Sequence, residues 1–225
     1  NKNNHNIITF IITTINNSII LDYDQNSNKL SLNKQIKLNK NDKILFAKTI
    51  YNNTLLLMIS NLSIFIYKIN DNGNIEQTQD KTLDNMKQVR PLLIKYNEKL
   101  NSLFVYFNNK QFLVFKIDIN GKICSKETLI DSINMSSFGV CKYFIIYSEW
   151  DKNNLNIFTI NTKKIETMNI VESSKDFAQI TNIEIIKKEG LRFVLLSLSN
   201  GKLLYFKLKE QFRNYNYYDF TENDF

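Results

Sequence analysis

Residues 195–208, LLSLSNGKLLYFKL, place two apolar runs on either side of Ser199-Asn200-Gly201. Apolar runs split by a short Ser/Asn/Gly segment predict a β-hairpin. The fold turns on whether this hairpin stands alone or is one copy of a repeated unit. Four other stretches share its layout: IITFIITTINNSIILDYD at 7–24, LLLMISNLSIFIYKI at 55–69, SLFVYFNNKQFLVFKI at 102–117 and YFIIYSEWDKNNLNIFTI at 143–160. Their turn centres recur at a spacing of roughly 45 residues, the range expected of four-stranded propeller blades.

The flanks repeat as well. A second polar turn and a third extended run follow the hairpin, as in NIEQTQ, KICSKETL and KKIETMNI. A short apolar segment precedes it, as in DKILFAKTI, VRPLLIKY and TNIEIIKK. Four strands per unit follow. The runs are short, rich in β-branched and aromatic residues, and bounded by Asn, Asp and Gly, which favours strands over helices. Stretches such as Leu203-Leu204-Tyr205-Phe206 are apolar on both faces and need cover on both sides, as when sheets stack face to face. A β-sandwich also uses many short strands, but it has no reason to repeat a four-strand unit at a fixed period. The expectation is an all-β partial propeller over residues 1–225, with four full blades and part of a fifth. A seven-bladed ring of this period would need roughly 315 residues, so the chain reads as a piece of a larger multi-propeller protein.

The bulk composition sets further bounds. With 43% hydrophobic residues the chain can bury a core, and no run reaches the ~18 apolar residues of a membrane-spanning helix. Cys124 and Cys141 lack a CxxC spacing and a partnering histidine, so neither a zinc site nor a disulfide framework is expected. The net charge of +7 is scattered. Its densest pairs, Lys163-Lys164 and Lys187-Lys188, fall in turn-like stretches and read as solvated surface.

Catalytic chemistry finds little support. The single histidine, His5, lies in the polar leader, and the chain has five glycines and no phosphate-binding glycine motif. The carboxylate pairs Asp22/Asp24 and Glu149/Asp151 sit at strand ends, where turn chemistry accounts for them. No enzyme, cofactor or metal site is expected. The alternating NYNYYDF at 214–220 reads as a strand or connector in preference to a base-stacking platform, since acids outnumber bases around it.

Trp150 is the residue to single out. It packs on a neighbouring blade, or it anchors a partner segment on the surface, a role in which Trp is enriched. In the second reading Tyr147, Glu149 and Asp151 flank it.

The succession YFIIYSEWDKNNLNIFTI, NTKKIETMNI, TNIEIIKKEG and RFVLLSLSNGKLLYFKL resembles the propeller region shared by two large subunits. One belongs to the UV-damaged DNA-binding protein and the other to the cleavage and polyadenylation specificity factor. A propeller subunit of the spliceosomal branch-site particle is a further relative. Family turn glycines are often Asn here. The resemblance implies a non-enzymatic interaction scaffold in the nucleus or cytoplasm. It is similar to the middle propeller of a cullin-RING ubiquitin ligase adaptor, with cullin and substrate receptors as partners. The alternative it implies is a subunit of a splicing or cleavage/polyadenylation complex. Nucleic acid would be touched only through the complex, and no membrane is involved. In the adaptor branch a Trp at the position of Trp150 lies on the cullin-facing surface, whereas the splicing relative has none.

Overall fold

A computed structural model describes residues 7–15, 17–37, 43–50, 55–60, 63–69, 75–80, 89–150, 152, 154–169, 178–188 and 191–208. His5, Asp151 and the 214–220 stretch lie outside the described residues. Among those described, every regular element is a strand, and all of them form five antiparallel meanders.

Sheet I holds β1 (Ile7–Thr13), β2 (Asn17–Asp24) and β3 (Lys29–Lys37). Sheet II holds β4 (Ile44–Ile50), β5 (Leu55–Ser60), β6 (Ile64–Ile69) and β7 (Ile75–Asp80). Sheet III holds β8 (Pro91–Asn97), β9 (Ser102–Phe107), β10 (Phe112–Ile117) and β11 (Ile123–Ile130). Sheet IV holds β12 (Met135–Val140), β13 (Phe144–Glu149), β14 (Asn154–Thr159) and β15 (Lys164–Asn169). Sheet V holds β16 (Ile180–Lys188), β17 (Leu191–Leu198) and β18 (Leu203–Leu208).

The five hairpins read from the sequence are β1–β2, β5–β6, β9–β10, β13–β14 and β17–β18. Two strands escaped that reading, β3 and β12. The second, MSSFGV, carries too few apolar residues to register as one.

The SNG turn has an identifiable geometry. Leu198 N–H donates to Lys202 O at 2.9 Å, and Gly201 N–H to Leu198 O at 3.0 Å. Gly201 sits at φ +84°, the left-handed residue that closes a three-residue hairpin loop. The β9–β10 turn repeats it: Phe107 N–H reaches Gln111 O at 2.9 Å, and Lys110 N–H reaches Phe107 O at 3.0 Å, with Lys110 at φ 67°. Asn200 and Asn109 play one role in the two turns, each side-chain carbonyl accepting the N–H two residues on, from Lys202 at 3.1 Å and from Gln111 at 3.2 Å. Asn28 and Asn101 also adopt positive φ. Asn tolerates that region because its short side chain bonds locally.

The chain divides into two compact units, Asn1–Pro91 with Lys116–Ser125, and Leu92–Phe115 with Lys126–Phe225. In the first, sheet II buries Leu55, Leu57, Ile59, Ile64 and Ile66. Ile44 N–H donates to Ile15 O at 2.6 Å, tying the start of sheet II to the hairpin turn of sheet I.

In the second unit sheet IV is buried on both faces. One face of β13 carries Ile145 and Tyr147 into a cluster with Phe104, Tyr106, Phe112 and Val114 of sheet III. There Phe112 and Phe138 meet edge to face at 4.9 Å between ring centres. The other face carries Phe144 and Ile146 against Ile183, Val194, Leu196 and Phe206 of sheet V. Two-sided burial is thus real at β13. It does not hold at 203–206, where Leu204 and Phe206 are buried but Leu203 is 58% exposed. The reason is that β18 sends only alternate residues into the cluster shared with sheet IV.

Candidate interaction surface

Hydrogen bonds join the hairpin turns of sheets III, IV and V into one row. Ile133 N–H, just before β12, donates to Lys110 O in the β9–β10 turn at 3.3 Å. Trp150 N–H, in the β13–β14 turn, donates to Asn134 O at 2.8 Å. Gln179, just before β16, sends its side-chain amide to Glu149 O at 3.1 Å, and its carbonyl accepts Ser199 N–H at 2.8 Å. The turn carrying Trp150 therefore stands in the middle of the row.

Beneath it lies a buried polar network. Ser136 and Ser148 hydroxyls are 2.7 Å apart, and Gln179 Nε2 also reaches Ser136 Oγ at 3.2 Å. Ser199 Oγ accepts Gln179 N–H at 3.0 Å. Tyr106 contributes from sheet III, donating its hydroxyl to Ile133 O at 2.8 Å and accepting Met135 N–H at 3.2 Å. Buried polar atoms that find partners give the sheet-to-sheet junction one geometry.

The predicted site residues separate here. Trp150 is 49% exposed, neither a core residue nor fully solvated. Glu149 is mostly covered: its carboxylate takes Lys152 Nζ at 2.9 Å and Asn156 Nδ2 at 3.2 Å. Thr167 Oγ1 extends that chain by donating to Asn156 Oδ1 at 2.8 Å. Tyr147 is 3% exposed and belongs to the core shared with sheet III, so the sequence expectation that it flanks a surface anchor is corrected. Alternation explains the difference: in β13, Tyr147 points into one core face, and Trp150 lies past the last paired residue. Burial pushes the Tyr147 hydroxyl up to about 12, with the Glu149 charge adding to the rise. Asp151 lies outside the described residues.

Sequence reasoning missed Gln179, which organises the row, and Asn154. The Asn154 Oδ1 is the buried side-chain polar atom without a hydrogen-bond partner among the described residues. It opens β14, directly after the Trp150 turn. No spacing or composition signal marks either residue.

Other candidates resolve into local structure. Asp24 accepts Ser27 Oγ at 2.7 Å and Asn26 N–H at 2.9 Å, the turn role expected of it, and these bonds hold its carboxyl below the usual range. Cys141 is buried and Cys124 exposed, and both are free thiols. Among the described residues no three His, Cys, Asp or Glu side chains gather to hold a metal, and no helix is long and apolar enough to cross a membrane.

Solved structures share this architecture at low identity. Raptor from Chaetomium thermophilum is 13% identical with a TM-score of 0.60, over 98% of this chain and 20% of that one. The Cps50 (Swd1) β-propeller domain of Myceliophteria thermophila is 8% identical with a TM-score of 0.59, over 88% of this chain and 65% of that one. The dihydro-heme d1 dehydrogenase NirN, in complex with DHE, is 12% identical with a TM-score of 0.58, over 98% of this chain and 45% of that one. These likenesses concern the fold alone. No curated protein matches the chain. The family model for the RSE1/DDB1/CPSF1 second beta-propeller matches residues 2–224, and the chain belongs to that family.

Proposed function

We propose that this propeller acts as a non-enzymatic interaction scaffold of the cullin-RING ubiquitin ligase adaptor kind, working in the nucleus or cytoplasm, and that the Trp150 turn is a point of partner attachment. Family membership supports the scaffold role. The observation that carries the finer reading is a large aromatic side chain, 49% exposed, where the main chain of Glu149 and Trp150 is hydrogen-bonded to Gln179 and Asn134. A half-exposed Trp on a fixed support loses little entropy on docking, which is the property of a hot-spot residue.

Affinity purification of the full-length protein tests the reading. Recovery of a cullin, lost on Trp150→Ala with an unchanged thermal melt, supports it. Recovery of splicing or polyadenylation subunits in place of a cullin assigns the protein to the RNA-processing branch and overturns the adaptor role.

A further inference from the structure

The Ser199-Asn200-Gly201 loop of β17–β18 and the Asn108-Asn109-Lys110 loop of β9–β10 are built alike and differ at one chemically decisive atom. In each, the Asn side-chain carbonyl accepts the main-chain N–H two residues on, from Lys202 at 3.1 Å and from Gln111 at 3.2 Å. Such an Asx turn mimics a backbone turn. It curls the amide carbon Cγ back toward the following peptide nitrogen, and the N–H bonded to Oδ1 polarises the C=O. In the first loop the next residue is Gly201, at φ +84°, and a Cβ placed there would meet nothing within 4 Å. In the second it is Lys110, at φ 67°, whose Cβ stands beside the nitrogen and crowds the same approach.

An amide carbon held next to a main-chain nitrogen is positioned for attack by it. Once hydroxide takes the Gly201 N–H proton, the nitrogen adds to Asn200 Cγ and an N–Cγ bond forms. Oδ1 gains negative charge in that step, and the Lys202 N–H already points at it, the arrangement of an oxyanion donor. The Cγ–Nδ2 bond then breaks and Nδ2 leaves as ammonia, taking its third hydrogen from water and regenerating hydroxide. The product is a five-membered succinimide, which water opens at either carbonyl. Breaking N–Cγ gives aspartate. Breaking the bond from the nitrogen to the original main-chain carbonyl gives isoaspartate, with the chain rerouted through Cγ. No oxidant or reductant takes part. The Gly201 N–H is bonded to Leu198 O at 3.0 Å, so that bond opens first. Asn200, Gly201 and Lys202 are all exposed, and an exposed loop opens locally at small cost.

Asn120-Gly121 supplies the contrary case. The dipeptide is the same, but Asp118 Oδ1 accepts both Asn120 N–H at 2.9 Å and Lys122 N–H at 2.8 Å. The N–H that would polarise the Asn120 amide is thus already engaged. Gly121 is buried, and a Cβ on it would fall 2.6 Å from Ile66 Cγ2. Asn72-Gly73 lies outside the described residues. Of Asn109, Asn120 and Asn200, only Asn200 combines the Asx geometry, an unhindered nitrogen and access to water.

We propose that Asn200 is a site of self-modification, converting to aspartate and isoaspartate, and that isoaspartate there loosens the row of turns. Isoaspartate adds a main-chain methylene to the loop that Leu198 and Lys202 close. Ser199 sits in that loop and holds Gln179 twice, donating N–H to Gln179 O and accepting Gln179 N–H at Oγ. Gln179 in turn reaches Glu149 O. The modification needs no partner at Trp150 and stands or falls without one.

The test is peptide mapping by mass spectrometry after the purified protein has stood at physiological temperature and mildly alkaline pH. Water enriched in heavy oxygen makes each new carboxylate carry a label. Label should accumulate at Asn200, faster as pH rises, while Asn109 and Asn120 keep their amides. Lys110→Gly puts glycine where φ is already positive, and Asn109 should then convert at a rate within a few-fold of that at Asn200. Gly201→Ala should slow conversion of Asn200 at least about tenfold, an activation difference of about 1.4 kcal/mol. Three results overturn the assignment: Asn120 converting as fast as Asn200, Asn109 staying intact in Lys110→Gly, or Gly201→Ala converting at the wild-type rate. The isoaspartate fraction should melt below fresh protein, whereas Asn200→Asp, which has the charge without the extra methylene, should melt with fresh protein. An isoaspartate fraction whose melt is unchanged overturns the coupling to the row.

Discussion

The side-chain amide of Gln179 joins two sheets, donating to the main-chain carbonyl of Glu149 at 3.1 Å and to the Ser136 hydroxyl at 3.2 Å. Its own N–H and carbonyl meanwhile bond Ser199. One residue thus fastens the turns of sheets IV and V to each other.

Replacing Gln179 with Ala leaves the Glu149 carbonyl and the Ser136 hydroxyl without that donor. Removing one partner of a buried hydrogen bond costs about 1–3 kcal/mol, so urea denaturation of Gln179→Ala should show a loss in that range. Gln179→Glu should lose at least as much, because an ionised carboxylate cannot donate to a carbonyl. A variant as stable as wild type would show that the network is not a structural fastening.

Gly139 in β12 marks a second junction. A Cβ placed there would sit 3.0 Å from Ile185 Cγ1, 3.1 Å from Ile183 Cγ2 and 3.3 Å from the Ile183 carbonyl oxygen. The side-chain atoms can yield by a rotamer adjustment, whereas the carbonyl belongs to a paired strand. Overpacking of this kind costs about 1–3 kcal/mol. Thermal melts should place Gly139→Ala below wild type and Gly139→Val lower still, with the order reversed if the sheets part easily.

The buried hydroxyl of Tyr147 makes stability depend on alkaline pH. Its folded value of about 12 lies above the ordinary value of 10.0 because burial disfavours the phenolate. The neutral form is therefore favoured in the folded state. Its contribution is fully present below pH about 10 and is lost as pH rises through about 12, where the unfolded chain has already released the proton. Between those values the melting temperature of Tyr147→Phe should fall less steeply than that of wild type. Tyr106, also raised by burial, keeps some slope in the variant. Parallel slopes for the two proteins would show that Tyr147 is not protected from solvent.

Trp150 is the only tryptophan in the chain, so the emission of the whole protein reports one turn. At 49% exposure it should emit at an intermediate wavelength and be quenched by acrylamide. Bound partner should shift the emission to shorter wavelength and reduce quenching. Trp150→Ala should move the melting temperature by little, since a half-exposed side chain loses only part of its burial; a collapse of the melt would make Trp150 a core residue.

Much of the architecture was legible because its cues are local. Ser199-Asn200-Gly201 and Asn108-Asn109-Lys110 each meet the same demand for a three-residue loop, and they do so with residues that tolerate it. The strands between such loops are short and β-branched, so period and class emerge together. β12 was not legible. Its Ser136, Ser137 and Gly139 look like loop residues until Ser148, Gln179 and Ile183 come up against them. Those partners lie between 11 and 44 positions away, and no local pattern announces them. The same limit applied at the surface, where Tyr147 and Trp150 are three residues apart and equally aromatic.

By itself the sequence determined the all-β class, the hairpin positions and the period at which they recur, because each of these follows from residue type and near-neighbour spacing. Tertiary structure decided which side of each strand is core. It buried Tyr147 between sheets III and IV while leaving Trp150 half in water. The physical reason is that alternation assigns residues to faces, but only the stacking of one sheet on another determines which faces lose their water.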